Sequence, residues 1–235
     1  MAVLSFFSFF FRNYLRSHRY LRELLLILIF NILFSGFLYA IEPEDTIWTV
    51  FAVLGLMLNM VTVPSLFFLE KGNSLYFVLC RPHGRKNFFL AKILLIWIID
   101  FGWVFLFTII YGLRFMETDY FVMLPFRLFF LGWMMILSIL IFSLSFSYRP
   151  WIVWLLLILT VFGGILNKTA LFPVETFSKI YVLLSFLLPP FLELIYCAVT
   201  LDITFWRSVF LVVAMAQIAF YFFLNHRFIL RRDFI

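Results

Sequence analysis

The sequence predicts an all-α membrane protein of six transmembrane helices, with both termini on the cytoplasmic side. Three observations lead there. Of 235 residues, 66% are hydrophobic and only 13% are charged, whereas a soluble domain carries about 25% charged residues. Apolar runs of about 20 residues recur along the chain, each long enough to cross a hydrocarbon core of roughly 30 Å as a helix. Such runs must be helical in lipid, because unpaired backbone groups there cost several kcal/mol each. Finally, the basic residues gather between alternate runs, where they set orientation.

Residues 1–23 read as an amphipathic interfacial helix. Phe, Leu and Tyr alternate there with Arg12, Arg16, His18, Arg19 and Arg22, a pattern that lays arginines on anionic headgroups. No positive residue precedes the apolar stretch Val3–Phe11, so a signal peptide is not expected. Residues 24–235 form the six-span domain. The first span is expected over about 24–41 and ends at the acidic turn Glu42-Pro43-Glu44-Asp45. The second covers about 47–69, with Pro64 near its end. After a polar connection at 70–92, the third and fourth spans are expected at about 93–113 and 128–147. Tyr148-Arg149-Pro150 turns into a fifth at about 151–166.

The segment 171–201 is long and apolar but carries Pro189-Pro190 and Glu193. Mid-helix proline removes hydrogen bonds, so a re-entrant pair of short outer helices is expected, with broken backbone buried among neighbours. The last span is expected at about 204–224. With six spans, 13 of the 18 basic residues fall on the cytoplasmic side. A seventh crossing at 181–201 would export the C-terminal Arg227, Arg231 and Arg232.

Charge and motifs exclude several classes. The net charge of +6 sits at span ends, so it points to topology and membrane lipids and not to nucleic acid. Cys80 and Cys197 are far apart with no CxxC spacing, so neither a disulfide framework nor a metal site is indicated. No P-loop, H-E-x-x-H or G-x-S-x-G occurs. The three histidines are scattered, and no catalytic residue is expected.

The connection 70–92 carries the most information. Gly72-Asn73-Ser74 can start a short helix capped by Ser74 and bounded by Pro82, with Leu75, Tyr76 and Leu79 as its apolar side chains. Held between two spans, it is a rigid knob for another protein to grip. The plain alternative is a positive-inside connector. The pattern Glu70, Gly72, Leu79, Pro82, Arg85, Phe88, Lys92 closely resembles the cytoplasmic loop of ABC-2 type permeases, whose coupling helix docks onto an ATPase. The basic N-terminus resembles that family's interfacial connecting helix. Leu171-Phe172-Pro173 with Leu187-Leu188-Pro189-Pro190 resembles its re-entrant outer helices. One departure is Asn73-Ser74, where a Thr often follows the Gly.

The resemblance implies the membrane-spanning subunit of an ABC exporter, paired with a second permease copy, identical or related, and with two copies of a cytoplasmic P-loop ATPase. The coupling helix would use Glu70, Gly72, Ser74, Leu75, Tyr76, Leu79, Pro82 and Arg85. ATP and Mg would bind in the ATPase, leaving this chain without a cofactor. The substrate class would be a lipid, glycan, peptide or drug-like molecule. The compact design, with its ATPase on a separate chain, points to a bacterial inner (cytoplasmic) membrane. A haem-exporter-like permease and a non-transport scaffold or assembly factor are the alternatives. A secondary transporter usually needs more embedded ionisable groups.

Within the spans, Asp100 lies eight residues beyond Lys92, about 12 Å deeper along a helix. Two readings fit it: a gate or cavity residue together with Asn59 and Thr62, or a structural polar contact near the inner interface. The second is favoured. Asn31, Asn59, Thr62 and Gln217 suit interhelical hydrogen bonds. Arg127 reads as a snorkelling anchor, Glu193 and Asp202 as outer-facing or capping groups, and Trp48, Trp133, Trp151 and Trp206 as interfacial belts.

Overall fold

The computed structural model describes residues 2–40, 45–68, 84–147 and 188–231. Among these residues the chain is all-helical: α1 (Ala2–Arg16), α2 (Tyr20–Leu33), α3 (Ser35–Leu38), α4 (Ile47–Phe68), α5 (Gly84–Phe115), α6 (Thr118–Ser147), α7 (Phe191–Thr200) and α8 (Phe205–Arg231). Four of them, α4, α5, α6 and α8, are long and apolar enough to cross a membrane. The chain is an integral membrane protein.

α4 and α6 form the interior, and α5, α7 and α8 pack around them. The larger core joins Phe30 of α2, Trp48, Phe51, Leu54 and Leu58 of α4, Leu131 and Met135 of α6, and Leu194 of α7. A second core gathers Phe10 and Tyr14 of α1 with Val63 and Leu66 of α4, Phe88, Leu95 and Ile96 of α5, and Ile139 of α6. The outer faces of α5 and α8 expose Ile98, Leu106, Ile110, Val212, Met215 and Phe223. That is the surface expected against lipid, which is as apolar as those side chains.

Several boundaries differ from the sequence reading, each for a local reason. The helix expected over residues 1–23 ends at Arg16. A turn at Ser17–Arg19, with His18 at φ 52°, redirects the chain, so Glu23 belongs to the first turn of α2. The expected first span falls on α2 and α3. Its path distorts at Phe34, next to Ser35-Gly36, a pair that favours kinks. Even so, Phe34 N still donates to Phe30 O at 2.9 Å and Leu38 N to Phe34 O at 3.0 Å.

The third helix starts nine residues before the expected 93, at Gly84. Nothing after Pro82 breaks a helix, and Phe88, Ala91 and Lys92 bury a face against α1 and α4. The fourth starts at Thr118 and carries Pro125 inside it. Only Met116 and Glu117 separate α5 from α6, Met116 being at φ 51°. That hairpin is tight because Gly112 gives Tyr120 room: a Cβ on Gly112 would lie 2.4 Å from Tyr120 Cε1.

α8 continues past the expected 224 to Arg231. α7 follows Pro189-Pro190, runs ten residues to Thr200 and is capped by Leu201 at φ 53°. Residues 171–187 and the expected fifth span at 151–166 lie outside the described residues.

Candidate functional site

Where α1, α2, α4 and α5 meet, four polar side chains converge in an otherwise apolar interior. Tyr14 sits on the buried stripe of α1 one turn after Phe10, and both are 3% exposed. The turn at His18 folds α2 back so that Glu23 faces Tyr14. The Tyr14 hydroxyl donates to Glu23 Oε2, and the Trp103 indole on α5 also bonds the Glu23 carboxyl. Thr62 Oγ1 on α4 lies 2.8 Å from Asp100 Oδ1 on α5 and 3.4 Å from Glu23 Oε1. Burial, then the hydrogen bond to Glu23 and the acidic neighbours, push the Tyr14 phenol up, which fixes Tyr14 as a hydrogen donor.

Glu23 is 1% exposed and Thr62 and Asp100 are fully buried. A carboxyl at this depth is costly unless protein groups satisfy it. The chain Tyr14–Glu23–Thr62–Asp100 therefore ties three segments of sequence together at one point. Among the described residues, Asp100 Oδ2 is left without a hydrogen-bond partner.

Two turns nearer the start of α5, Lys92 is 1% exposed. Its Nζ donates to Leu66 O at 2.7 Å and stands over the rings of Phe88 at 4.3 Å, Phe67 at 5.2 Å and Phe10 at 5.5 Å. An ammonium over aromatic faces gains about 0.5–2 kcal/mol as it is desolvated. Phe10 meets Phe88 edge-on at 5.2 Å. The start of α5 is thus clamped to α1 and to the end of α4.

The residues singled out from sequence divide into three groups. Asp100 and Thr62 are brought together. Asn59, one turn earlier on α4, turns instead toward α6: its Nδ2 donates to Met135 O at 3.1 Å and to Ser138 Oγ. Asn59 and Thr62 thus both sit at helix–helix contacts. Arg85 lies in the first turn of α5, half-buried. Glu70, Gly72, Ser74, Leu75, Tyr76, Leu79 and Pro82 lie outside the described residues.

The remaining residues find partners of their own. Arg127 Nη1 pairs with Asp45 Oδ1 at 2.8 Å, and its guanidinium lies 5.1 Å from the Trp48 ring. Trp48 is 1% exposed and packs on Phe51 and Tyr120, so it belongs to the core and not to a belt. Asp202 pairs with Arg207 at 2.9 Å. Gln217 Nε2 donates to Leu188 O at 3.1 Å, on the bend before α7 and not on another helix.

Sequence reasoning missed Glu23 and Tyr14. The available signal was a single acid, Glu23, directly after Arg22 and opening an apolar run.

A separate apolar groove of about 560 Å³ lies between α5, α6 and α8, lined by Trp97, Phe101, Leu128, Phe129, Trp133 and Ile218 among others. Trp97 Nε1 is spent on Gly132 O at 3.3 Å, so the wall suits hydrocarbon. No group of three or more metal-binding side chains occurs among the described residues. Comparison of the chain with protein-family models, with curated proteins and with solved structures gives no match.

Proposed function

We propose that this chain is the membrane-spanning subunit of an ATP-driven ABC exporter, working with a separate cytoplasmic P-loop ATPase and a second permease copy. The observation that supports the reading is the mechanical continuity of α5. This helix begins at Gly84, directly after the segment that resembles a coupling helix, and runs 32 residues without interruption, a length of about 48 Å. Its first turns are clamped by Phe10 and Lys92, and its middle is tied through Thr62, Asp100 and Glu23 to α1, α2 and α4.

In this reading a push on residues 74–80 enters the bundle along α5, as motion of a rod. ATP binding supplies the energy difference between two arrangements of the bundle, since only a ligand with unequal affinity for two states shifts them. The substrate class is lipid, glycan, peptide or drug-like, an apolar or amphipathic molecule leaving from the inner leaflet or cytoplasm. ATP and Mg belong to the partner, and a bacterial inner membrane is the proposed location.

Affinity purification of the tagged protein from its native membrane in mild detergent tests this. A stoichiometric P-loop ATPase is expected, with its association or its coupling to transport lost in Leu79→Asp and Tyr76→Asp. Absence of any ATPase while other complexes survive, or unchanged association and transport in both variants, overturns the proposal.

A further inference from the structure

Hydrogen counting around Thr62 leads to an assignment that does not depend on the ATPase partner. Thr62 carries one hydroxyl hydrogen, yet its Oγ1 has a carboxyl oxygen on each side, Asp100 Oδ1 at 2.8 Å and Glu23 Oε1 at 3.4 Å. With both acids ionised, one of these contacts sets oxygen against oxygen with no hydrogen between. Glu23 already receives donors from Tyr14 and Trp103, an arrangement that suits a carboxylate. Among the described residues Asp100 receives no other donor, and its buried Oδ2 has no partner. An unbonded carbonyl oxygen of a neutral acid is far cheaper in such a place than an unbonded carboxylate oxygen.

The surrounding charges do not change the count. α1 faces the site with Tyr14. At the α1–α2 turn, Arg19 Nη1 is directed to Ser65 O at 3.3 Å. Lys92 on α5 is engaged by Leu66 O and its phenylalanine rings. α4 and α6 bring Thr62, Asn59 and Ser138, none titratable. Neither carboxyl has an ion-pair partner among the described residues.

We propose that Asp100 holds a proton and donates it to Thr62, whose own hydroxyl donates to the Glu23 carboxylate, making a buried proton-binding site that locks α2 onto α4 and α5. The chain then runs in one direction, Asp100 to Thr62 to Glu23, with Tyr14 and Trp103 closing it. Loss of the proton to bulk water leaves two carboxylates about one hydroxyl and sets like charges against each other. The lock loosens as a result.

The test uses the full chain in lipid nanodiscs. Infrared spectra at neutral pH are expected to show a protonated-carboxyl stretch that shifts in deuterium oxide and vanishes in Asp100→Asn. Asn mimics the neutral acid and keeps a donor for Thr62. This variant should therefore melt near the wild-type temperature at neutral pH. Glu23→Gln, which replaces the acceptor, should melt lower. A wild type with no protonated-carboxyl band, a band that survives Asp100→Asn, or an Asp100→Asn as damaging as Glu23→Gln would each overturn the assignment.

Discussion

Lys92 on α5 donates from Nζ to the main-chain carbonyl of Leu66 on α4 at 2.7 Å. Leu66 lies in the last turn of α4, which ends at Phe68, and the last four carbonyls of a helix have no partner within it. The ammonium thus caps α4 from a neighbouring helix, where the macrodipole also favours a cation.

The first prediction follows from that cap. Lys92→Met keeps most of the side-chain volume among Phe10, Phe67 and Phe88 but removes both the donor and the charge. A charge-assisted hydrogen bond contributes about 1.5–3 kcal/mol, so thermal unfolding in detergent should report a loss of that order. A Lys92→Met protein as stable as wild type would mean that the phenylalanine packing alone holds this corner.

Thr62 offers a cleaner substitution, because valine has nearly its shape. Thr62→Val deletes the hydroxyl between Asp100 and Glu23 and leaves buried polar oxygens unsatisfied, at a cost of roughly 1–3 kcal/mol. Thr62→Ser keeps the hydroxyl and loses one methyl, about 0.8 kcal/mol. Valine should therefore melt below serine in the same detergent. The reverse order would show that packing and not hydrogen bonding governs the position.

Part of this site was legible in the chain and part was not. Asp100 stands out as an acid in the middle of an apolar run, and its spacing from Lys92 places both on one helix. Glu23 directly follows Arg22 and so looks like one more interfacial charge. It becomes a buried acid only because the chain turns at His18 and lays Tyr14 over it. That turn depends on a positive φ at a histidine, which has no strong signature. Helix ends were similarly hidden. Hydropathy drops at Lys92 and Arg85, but the helix continues to Gly84 because Phe88 and Ala91 bury a face there. Pairings such as Arg127 with Asp45 join residues far apart in sequence, beyond the reach of local patterning.

Gly112 sets two effects against each other. Alanine is favoured over glycine by about 0.8–1.0 kcal/mol in a helix interior, so Gly112→Ala would ordinarily stabilise α5. Here its Cβ would lie 2.4 Å and 2.7 Å from the edge of the Tyr120 ring. That ring is held by its hydroxyl on Thr108 O at 2.8 Å and by stacking on Trp48. Overpacking costs about 1–3 kcal/mol, so a net destabilisation is expected. In a Tyr120→Ala background the same change should turn neutral or favourable, a coupling that a double-mutant cycle measures. Equal effects in both backgrounds would remove the steric explanation.

Arg114 makes a last, more local case. Its Nη1 donates to Leu38 O at 3.0 Å and its Nη2 to Tyr39 O at 3.3 Å, closing the end of α3 from the far end of α5. The guanidinium also stands 5.3 Å from the Phe115 ring. Because Arg114 is exposed, water replaces much of what its removal takes away, and global stability should hardly move. What should change is the α2–α3 end, where the helix is already distorted at Phe34 and has few other ties. Hydrogen exchange reads such local opening directly. In Arg114→Leu, amides of residues 37–40 should exchange faster while those of α4 and α6 keep their protection. Arg114→Lys, with a single donor group able to reach one carbonyl at a time, should fall between the two. Protection at 37–40 that is indifferent to both substitutions would show that α3 is held by its own packing through Leu38.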